Sequence, residues 1–122
     1  MPRSPSPASL TLRSSFWLMA GDQSLAGPGR IELLERIDDT GSIRQAALGM
    51  GMSYRAAWDA VDLMSKRSGR VLVARRTGGK GGGGAGLSDD GRALVRAYRR
   101  LEVLHARHVT RLSDKLGDLL AG

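Results

Sequence analysis

The chain has 122 residues, a net charge of +7 at pH 7, 17 glycines and no cysteine. This length suits a single domain, and the lack of cysteine excludes disulfides and thiolate metal sites. No apolar run approaches the ~20 residues that span a bilayer, so we expect a cytoplasmic protein whose basic charge favours a polyanionic partner.

The first predicted elements are a tail, a strand and a helix. Residues 1–9 are rich in Pro and Ser, which predicts a disordered tail. Partial alternation of apolar residues predicts a β-strand over residues 10–19, followed by a turn-rich segment over residues 21–29. Pro28 suits the first turn of a helix, and Gly41 is expected to end that helix.

The middle of the chain carries the signals of two short helices. Ser42 and Gln45 form a capping box, and the helix that it starts is expected to run to about Leu48. Ser53 is placed to cap a third helix, which is expected to run to about Lys66. The apolar residues of this third helix recur on one face: Ala57, Val61 and Met64.

These two helices have the spacing of a helix-turn-helix. Ala47 is the small residue that a close helix crossing needs, and Gly51 supplies a positive φ in the turn. Val61 is expected to lock the second of the two helices onto the first. A helix-turn-helix presents the N-terminal end of its second helix to the major groove of DNA.

Three residues stand at that N-terminal end. Arg55 can pair with guanine or with phosphate, and we favour a DNA contact for it. Ser53 and Tyr54 can donate to phosphates or base edges, with helix capping for Ser53 and core packing for Tyr54 as equal alternatives. Trp58 and Trp17 are predicted to be packed in the core, because large aromatic side chains dominate burial.

A basic, glycine-rich segment follows the third helix. Residues 71–75 alternate as a strand, residues 85–87 predict a return strand, and the glycines between them predict a β-ribbon wing. Lys80 would lie at its tip and Arg75 and Arg76 at its base, where they can meet phosphate. The glycine segment can equally be a solvent loop that becomes ordered on DNA.

The last third of the chain predicts one long helix from Ser88 to Leu119, with Asp89 and Asp90 favourable at its positive end. Apolar residues and both histidines recur along it at heptad-like spacing, which favours a dimer contact over a metal site. The residues of this predicted interface are Leu94, Tyr98, Leu101, His105, His108, Leu112 and Leu119.

Other classes of function find less support. The glycine run formally contains G-x-G-x-x-G, but no βαβ unit surrounds it, so nucleotide binding is disfavoured. The bare amides of the same loop can hold a small oxyanion, which makes an oxyanion-binding module the alternative function. No set of catalytic residues stands out, so we expect neither enzymatic activity nor a cofactor.

A family resemblance rests on two strings, GSIRQAALGMGMSYRAAWDAVDLM (residues 41–64) and TGGKGGGGAGLSDDG (residues 77–91). Both resemble the DNA-binding domain of the molybdate-responsive regulators of the ModE type, which are winged-helix relatives of the LysR-type regulators. The resemblance implies a domain that dimerises and binds an operator. It also implies that Ser53, Tyr54, Arg55 and residues 77–84 face DNA.

Full-length members of that family carry molybdate-binding domains after the long helix, and we expect this chain to be without them. The resemblance therefore leaves the effector open between molybdate and none.

Together these inferences predict a mainly α fold with a small β-wing. A winged helix-turn-helix occupies residues 10–87, and a long dimerisation helix occupies residues 88–120. The predicted function is transcription regulation by a homodimer on a pseudo-palindromic operator in double-stranded DNA. The predicted DNA-binding residues are Ser42, Arg44, Ser53, Tyr54, Arg55, Lys66, Arg75, Arg76, Thr77, Gly78, Gly79, Lys80, Gly81 and Gly82.

Overall fold

The computed structural model describes residues 10–76 and 84–122. In chain order the elements are β1 (Leu18–Ala20), β2 (Gln23–Ala26), α1 (Pro28–Thr40), α2 (Ile43–Gly49), α3 (Tyr54–Ser68), β3 (Val73–Arg76), β4 (Gly84–Leu87) and α4 (Asp89–Ala121). The mainly helical fold with two small antiparallel ribbons, β1–β2 and β3–β4, confirms the predicted winged-helix class. Residues Phe16–Arg100 form one compact unit, and the described residues 10–15 with Leu101–Gly122 form another.

The start and end of α1 lie where the sequence predicts them. Pro28 occupies the first turn, where its missing N–H costs no hydrogen bond. Gly41 ends the helix in the left-handed conformation with φ of 71°, and its N–H donates to the carbonyl of Ile37 at 2.9 Å. The glycine thus supplies a backbone geometry that other residues rarely adopt.

The serine bonds of both predicted caps are confirmed, but the reciprocal bond of the capping box is not, because the N–H of Ser42 donates to the hydroxyl of Thr40 at 3.2 Å. The hydroxyl of Ser42 accepts from the backbone N–H of Gln45 at 3.0 Å, and the hydroxyl of Ser53 accepts from that of Ala56, also at 3.0 Å. Between the helices, Gly51 has the predicted positive φ of 66°. These local bonds fix where α2 and α3 begin, and hence which residues stand at the start of α3.

Two clusters of apolar side chains fill the unit Phe16–Arg100. The first joins β2, α1, α3, the β3–β4 ribbon and α4, and its buried members are Leu25, Ala26, Ile31, Leu34, Met64, Leu72, Leu87 and Tyr98. The second holds α1, α2 and α3 together through Leu33, Ile37, Ile43, Ala46, Ala47, Ala57 and Val61. Each fully buried Ile or Leu stabilises the fold by about 1.5–3 kcal/mol relative to an exposed one, so the crossing of α2 and α3 is firmly held.

Tyr98 departs from the predicted dimer seam. Its side chain is 0% exposed, its ring stacks on Phe16 with centroids 4.6 Å apart, and its hydroxyl donates to the Phe16 carbonyl at 3.1 Å. Because the apolar stripe at the start of α4 packs inward against its own chain, Tyr98 has no surface to offer a partner.

The predicted first strand is placed too early. β1 covers only Leu18–Ala20 and pairs antiparallel with β2 across a turn in which Gly21 has φ of 62°. The predicted turn segment 21–29 therefore contains a strand. Residues 10–15 bond to side chains of their own unit, with the N–H of Leu12 donating to the hydroxyl of Ser113 at 2.6 Å.

The β3–β4 ribbon is antiparallel, with Val73 opposite Leu87 and Arg76 opposite Gly84. Both strands were predicted, although β3 begins two residues later and β4 one residue earlier than the sequence pattern indicates. The N–H of Ala85 donates to the carbonyl of Gly41 at 2.8 Å, which ties the ribbon to the start of α2. Residues 77–83 of the predicted wing lie outside the described residues.

Two glycines of α4 make a matched pair for a stability test. A Cβ at Gly91 would overlap the carbonyl oxygen of Leu72, whereas a Cβ at Gly117 would meet no atom within 4 Å. We expect Gly91→Ala to lower the free energy of unfolding by about 1–3 kcal/mol through overpacking. Gly117→Ala should raise it by up to about 1 kcal/mol by removing backbone freedom from the unfolded chain.

Urea unfolding followed by circular dichroism measures both changes. Equal effects of the two substitutions would contradict the close approach of α4 to the segment before β3.

Candidate nucleic-acid interface

A groove of about 530 Å³ lies between the start of α2, the first turns of α3 and the β3–β4 ribbon. Arg44 and Arg75 line it together with the aromatic rings of Tyr54 and Trp58. No Asp or Glu belongs to the described residues that line this groove. The groove is therefore a cationic surface with aromatic walls, and an anionic partner suits it better than a basic one does.

The start of α3 projects into solvent. Ser53, Tyr54 and Arg55 are all exposed, whereas Ala57, Val61 and Met64 on the inward face of the helix are buried. The oxygen of Ser53 accepts the cap hydrogen bond, which leaves its hydroxyl proton available for donation. The structure thus brings together the three residues that the sequence predicted at this end.

Arg55 is held only loosely by its own helix. Its side chain is 88% exposed, and its Nε lies 3.4 Å from a carboxylate oxygen of Asp59 one turn later. Exposed pairs at this spacing contribute little to stability, about 0.3–0.5 kcal/mol. Arg55 can therefore leave Asp59 for a phosphate or a guanine edge at small cost.

Tyr54 is fixed on two sides. The guanidinium carbon of Arg44 stands 4.3 Å from the centre of the Tyr54 ring, a cation–π contact between α2 and α3. The indole N–H of Trp58 donates to the Tyr54 hydroxyl oxygen at 2.8 Å. Arg44, Tyr54 and Trp58 thus form a connected set, named below the aromatic ladder.

The core placement predicted for both tryptophans is wrong. Trp58 is 46% exposed because the inward face of α3 is occupied by Ala57, Val61 and Met64. Trp17 is 57% exposed and covers Gly27, where a Cβ would overlap the indole ring. Residue size favours burial, but the position on the helix or hairpin decides it.

Arg76 is engaged within the chain. Its guanidinium crosses Gly86, where a Cβ would overlap it, and pairs with the carboxylate of Asp38 on α1. The same carboxylate accepts from the N–H of Leu87 at 3.1 Å. Arg76 therefore holds the ribbon on α1. Neighbouring strand residues point to opposite faces, so of these two arginines it is Arg75 that lines the groove.

Asp38 is the residue that sequence reasoning missed at this site. It lies 38 positions before Arg76 and carries no local motif that would connect the two. What marks Asp38 is that its half-buried carboxylate accepts from the N–H of a strand residue. This contact exists only in the folded chain, so no sequence motif predicts it.

Lys66 lies apart from the start of α3. It is twelve positions beyond Tyr54, or about 18 Å along the helix axis. Its ammonium bonds to the carboxylate of Asp62 at 2.8 Å, and this hydrogen bond and the charge of Asp62 raise the pKa of Lys66 above its usual value. Lys66 therefore stays charged at neutral pH, but it lies outside the groove.

Ser42 lines the groove. Its hydroxyl oxygen accepts the hydrogen bond that caps α2.

The remaining predicted site residues divide into two groups. The predicted wing residues from Thr77 to Gly82 lie outside the described residues. Of the predicted dimer seam, Leu94 packs partly against the core, His108 is exposed, and the hydroxyl of Ser14 lies 2.6 Å from Nε2 of His105. The leucines of the seam that are exposed are Leu101, Leu112 and Leu119.

No group of three or more metal-ligating side chains occurs within residues 10–76 and 84–122. No helix in that part of the chain is long and apolar enough to cross a membrane.

Comparison with known proteins finds curated relatives, although no family model matches the chain. The molybdenum transport protein ModE of Azotobacter vinelandii is 45% identical over 93 residues, which are 76% of this chain and 34% of that protein. The DNA-binding transcriptional dual regulator ModE of Escherichia coli is 46% identical over 100 residues, which are 79% of this chain and 38% of that protein. The chain thus spans little more than a third of the length of these curated relatives.

Among solved structures, the full-length LysR-type regulator LysG of Corynebacterium glutamicum with bound arginine superimposes with a TM-score of 0.55 at 30% identity. The match covers 76% of this chain and 30% of LysG.

Proposed function

Because its homologues are the ModE regulators, over about a third of their length, we propose that the chain is a winged-helix transcriptional regulator that binds double-stranded DNA. The proposal includes a homodimer on a pseudo-palindromic operator and a cytoplasmic location. The observation that carries it is the exposed start of α3 beside a groove lined by Arg44 and Arg75. A helix end that is free of core contacts and flanked by cations suits the major groove.

In this proposal α3 enters the major groove by its first turn. Arg55 reads a base edge, for which its forked guanidinium suits the paired acceptors of guanine. Arg44 and Arg75 meet the phosphates that flank the helix, and the wing with Lys80 extends the grip. Two protomers place their α3 helices about one DNA turn, ~34 Å, apart.

The exposed leucines of α4 support the homodimer. Leu101, Leu112 and Leu119 are at least 40% exposed on a helix of 33 residues, and exposed apolar side chains in a row favour a helix–helix contact. Tyr98 takes no part in this interface, because it is buried in its own chain.

A link to molybdate is part of the proposal. One relative is named a molybdenum transport protein, which supports target genes of molybdate uptake or use. The effector stays open between molybdate and none.

The test begins with a random library of duplexes from which the protein selects its own site. We expect the selected site to be pseudo-palindromic, to bind at least 10³-fold tighter than random DNA, and to hold two protomers in analytical ultracentrifugation. Equal affinity for selected and random duplexes would contradict sequence-specific regulation. One protomer on each site would contradict the homodimer.

Isothermal titration with molybdate, tungstate and sulfate tests the alternative function. Oxyanion binding without any DNA binding would favour the oxyanion module. Binding of both would identify an effector.

A further inference from the structure

Tyr54 has a donor proton that its surroundings leave available. A tryptophan N–H can only donate, so the Tyr54 oxygen acts as the acceptor in its 2.8 Å bond with Trp58. The hydroxyl proton must then point elsewhere. The spacing of four residues places both rings on one face of α3, so the helix itself fixes this arrangement before any ligand arrives.

The Arg44 cation restricts the other side of the ring. It stands over the ring face at 4.3 Å, and this contact joins α2 to the first turn of α3. Together with Trp58 it holds an exposed tyrosine in one orientation, so less side-chain entropy is lost when Tyr54 binds. Donation by Trp58 also polarises the hydroxyl and makes it a better donor.

The charge of the groove that Tyr54 lines suits a phosphate group. Arg44 and Arg75 line it, and no Asp or Glu occurs among the described residues around it. Arg55, the candidate for reading bases, is absent from this lining. The groove can therefore bind a sugar–phosphate backbone beside Arg55. There the neutral hydroxyl of Tyr54 would donate to a phosphate that the two cations also attract.

We propose that Tyr54 is a phosphate-contact residue whose hydroxyl donates to a DNA backbone phosphate seated in this groove, and that Trp58 is its positioning residue. The inference rests on the proposed DNA-binding function and adds a neutral donor to its phosphate contacts. The backbone grip is then set by the aromatic ladder, and base reading is left to Arg55.

The test is a double-mutant cycle on DNA affinity. Tyr54→Phe should weaken binding about tenfold for each protomer, because hydrogen bonds to charged groups are worth more than neutral ones. Trp58→Phe, which removes the N–H and keeps an aromatic ring, should weaken binding about threefold. The double variant should lose no more than Tyr54→Phe alone, because Trp58 acts through the tyrosine hydroxyl.

Both variants should lose the same factor on the selected site and on a random duplex, because phosphates carry no sequence. A second measurement replaces single phosphates by uncharged methylphosphonates. At one position per half-site the substitution should weaken the wild type more than it weakens Tyr54→Phe, because the variant has already lost the hydroxyl contact and keeps only the attraction of Arg44 and Arg75. A purely structural role for Tyr54 would give the same factor in both proteins.

Trp17→Phe is the matched control. It changes the other exposed tryptophan, which lies over Gly27 in the β1–β2 region, and we expect unchanged DNA affinity. Circular dichroism and thermal melting show that each variant is folded.

The outcomes separate this inference from the function on which it rests. Failure of the wild type to bind any duplex would overturn both. Wild-type binding with Tyr54→Phe equally tight, or weakened only on the selected site, would overturn the phosphate contact alone. Additive losses in the cycle would overturn the positioning role of Trp58.

Discussion

Raising the salt concentration from 50 to 200 mM is expected to lower the affinity for DNA roughly 10³–10⁵-fold, if the dimer makes about 6–10 phosphate contacts. The expectation follows from the net charge of +7 and from the cationic lining of the groove. Each lysine or arginine that meets a phosphate releases bound counterions, and salt opposes that release. Fluorescence anisotropy of a labelled duplex at several salt concentrations gives the slope directly.

Single substitutions then assign this slope to residues. Arg75→Gln and Lys80→Ala should each reduce it by about one for each protomer, on selected and random DNA alike. Arg36→Gln is the control, because it removes the same charge from an ion pair with Glu32 on α1, outside the groove. Equal reductions from Arg36 and Arg75 would mean that diffuse charge, and not the groove, carries the affinity.

The parts of the site that the sequence predicts are those encoded within a few residues. Ser42 and Ser53 lie three positions before the amides that they cap, and Gly51 sits in the turn between them. These short-range signals decide where α2 and α3 begin. They therefore also decide that Ser53, Tyr54 and Arg55 stand together at an exposed helix end.

The parts that the sequence does not reveal depend on distant partners. Asp38 forms an ion pair with Arg76, which lies 38 positions later in the chain, and this pair holds the Arg76 side chain outside the groove. Tyr98 belongs to an apolar stripe whose sequence pattern is the same for packing within the chain and for packing against a second chain. Its ring stacks on Phe16 of its own chain, a contact that the pattern does not predict. Trp58 is exposed because its helix position, not its size, sets its surroundings.

The division of labour within the site follows from the same geometry. In the aromatic ladder, the ring of Tyr54 is held by Arg44 and by Trp58. Arg55, in contrast, is a long side chain with one weak partner, Asp59. Fixed donors suit the regular spacing of phosphates, and a mobile guanidinium suits base edges that differ between sites. In the proposed function, specificity is therefore carried by Arg55 and affinity by the phosphate contacts of Arg44, Tyr54 and Arg75.

Arg55→Ala is therefore expected to act on specificity more than on affinity. The loss of a bidentate contact to guanine should cost about 1–3 kcal/mol for each half-site, or roughly 5–160-fold on the selected duplex for each protomer. Binding to random DNA should fall far less, because no base contact exists there to lose. Competition between the two duplexes in a gel-shift titration measures the ratio.

Arg55→Lys is the decisive companion, because it keeps the charge and removes the planar fork. We expect it to retain nearly wild-type affinity for random DNA and to lose most of the discrimination at the position that Arg55 reads. Repeating the site selection with this variant should relax the preference for guanine at one symmetric pair of positions. An unchanged preference, or equal losses on both duplexes for Arg55→Ala, would place Arg55 on the backbone and leave base reading to other residues.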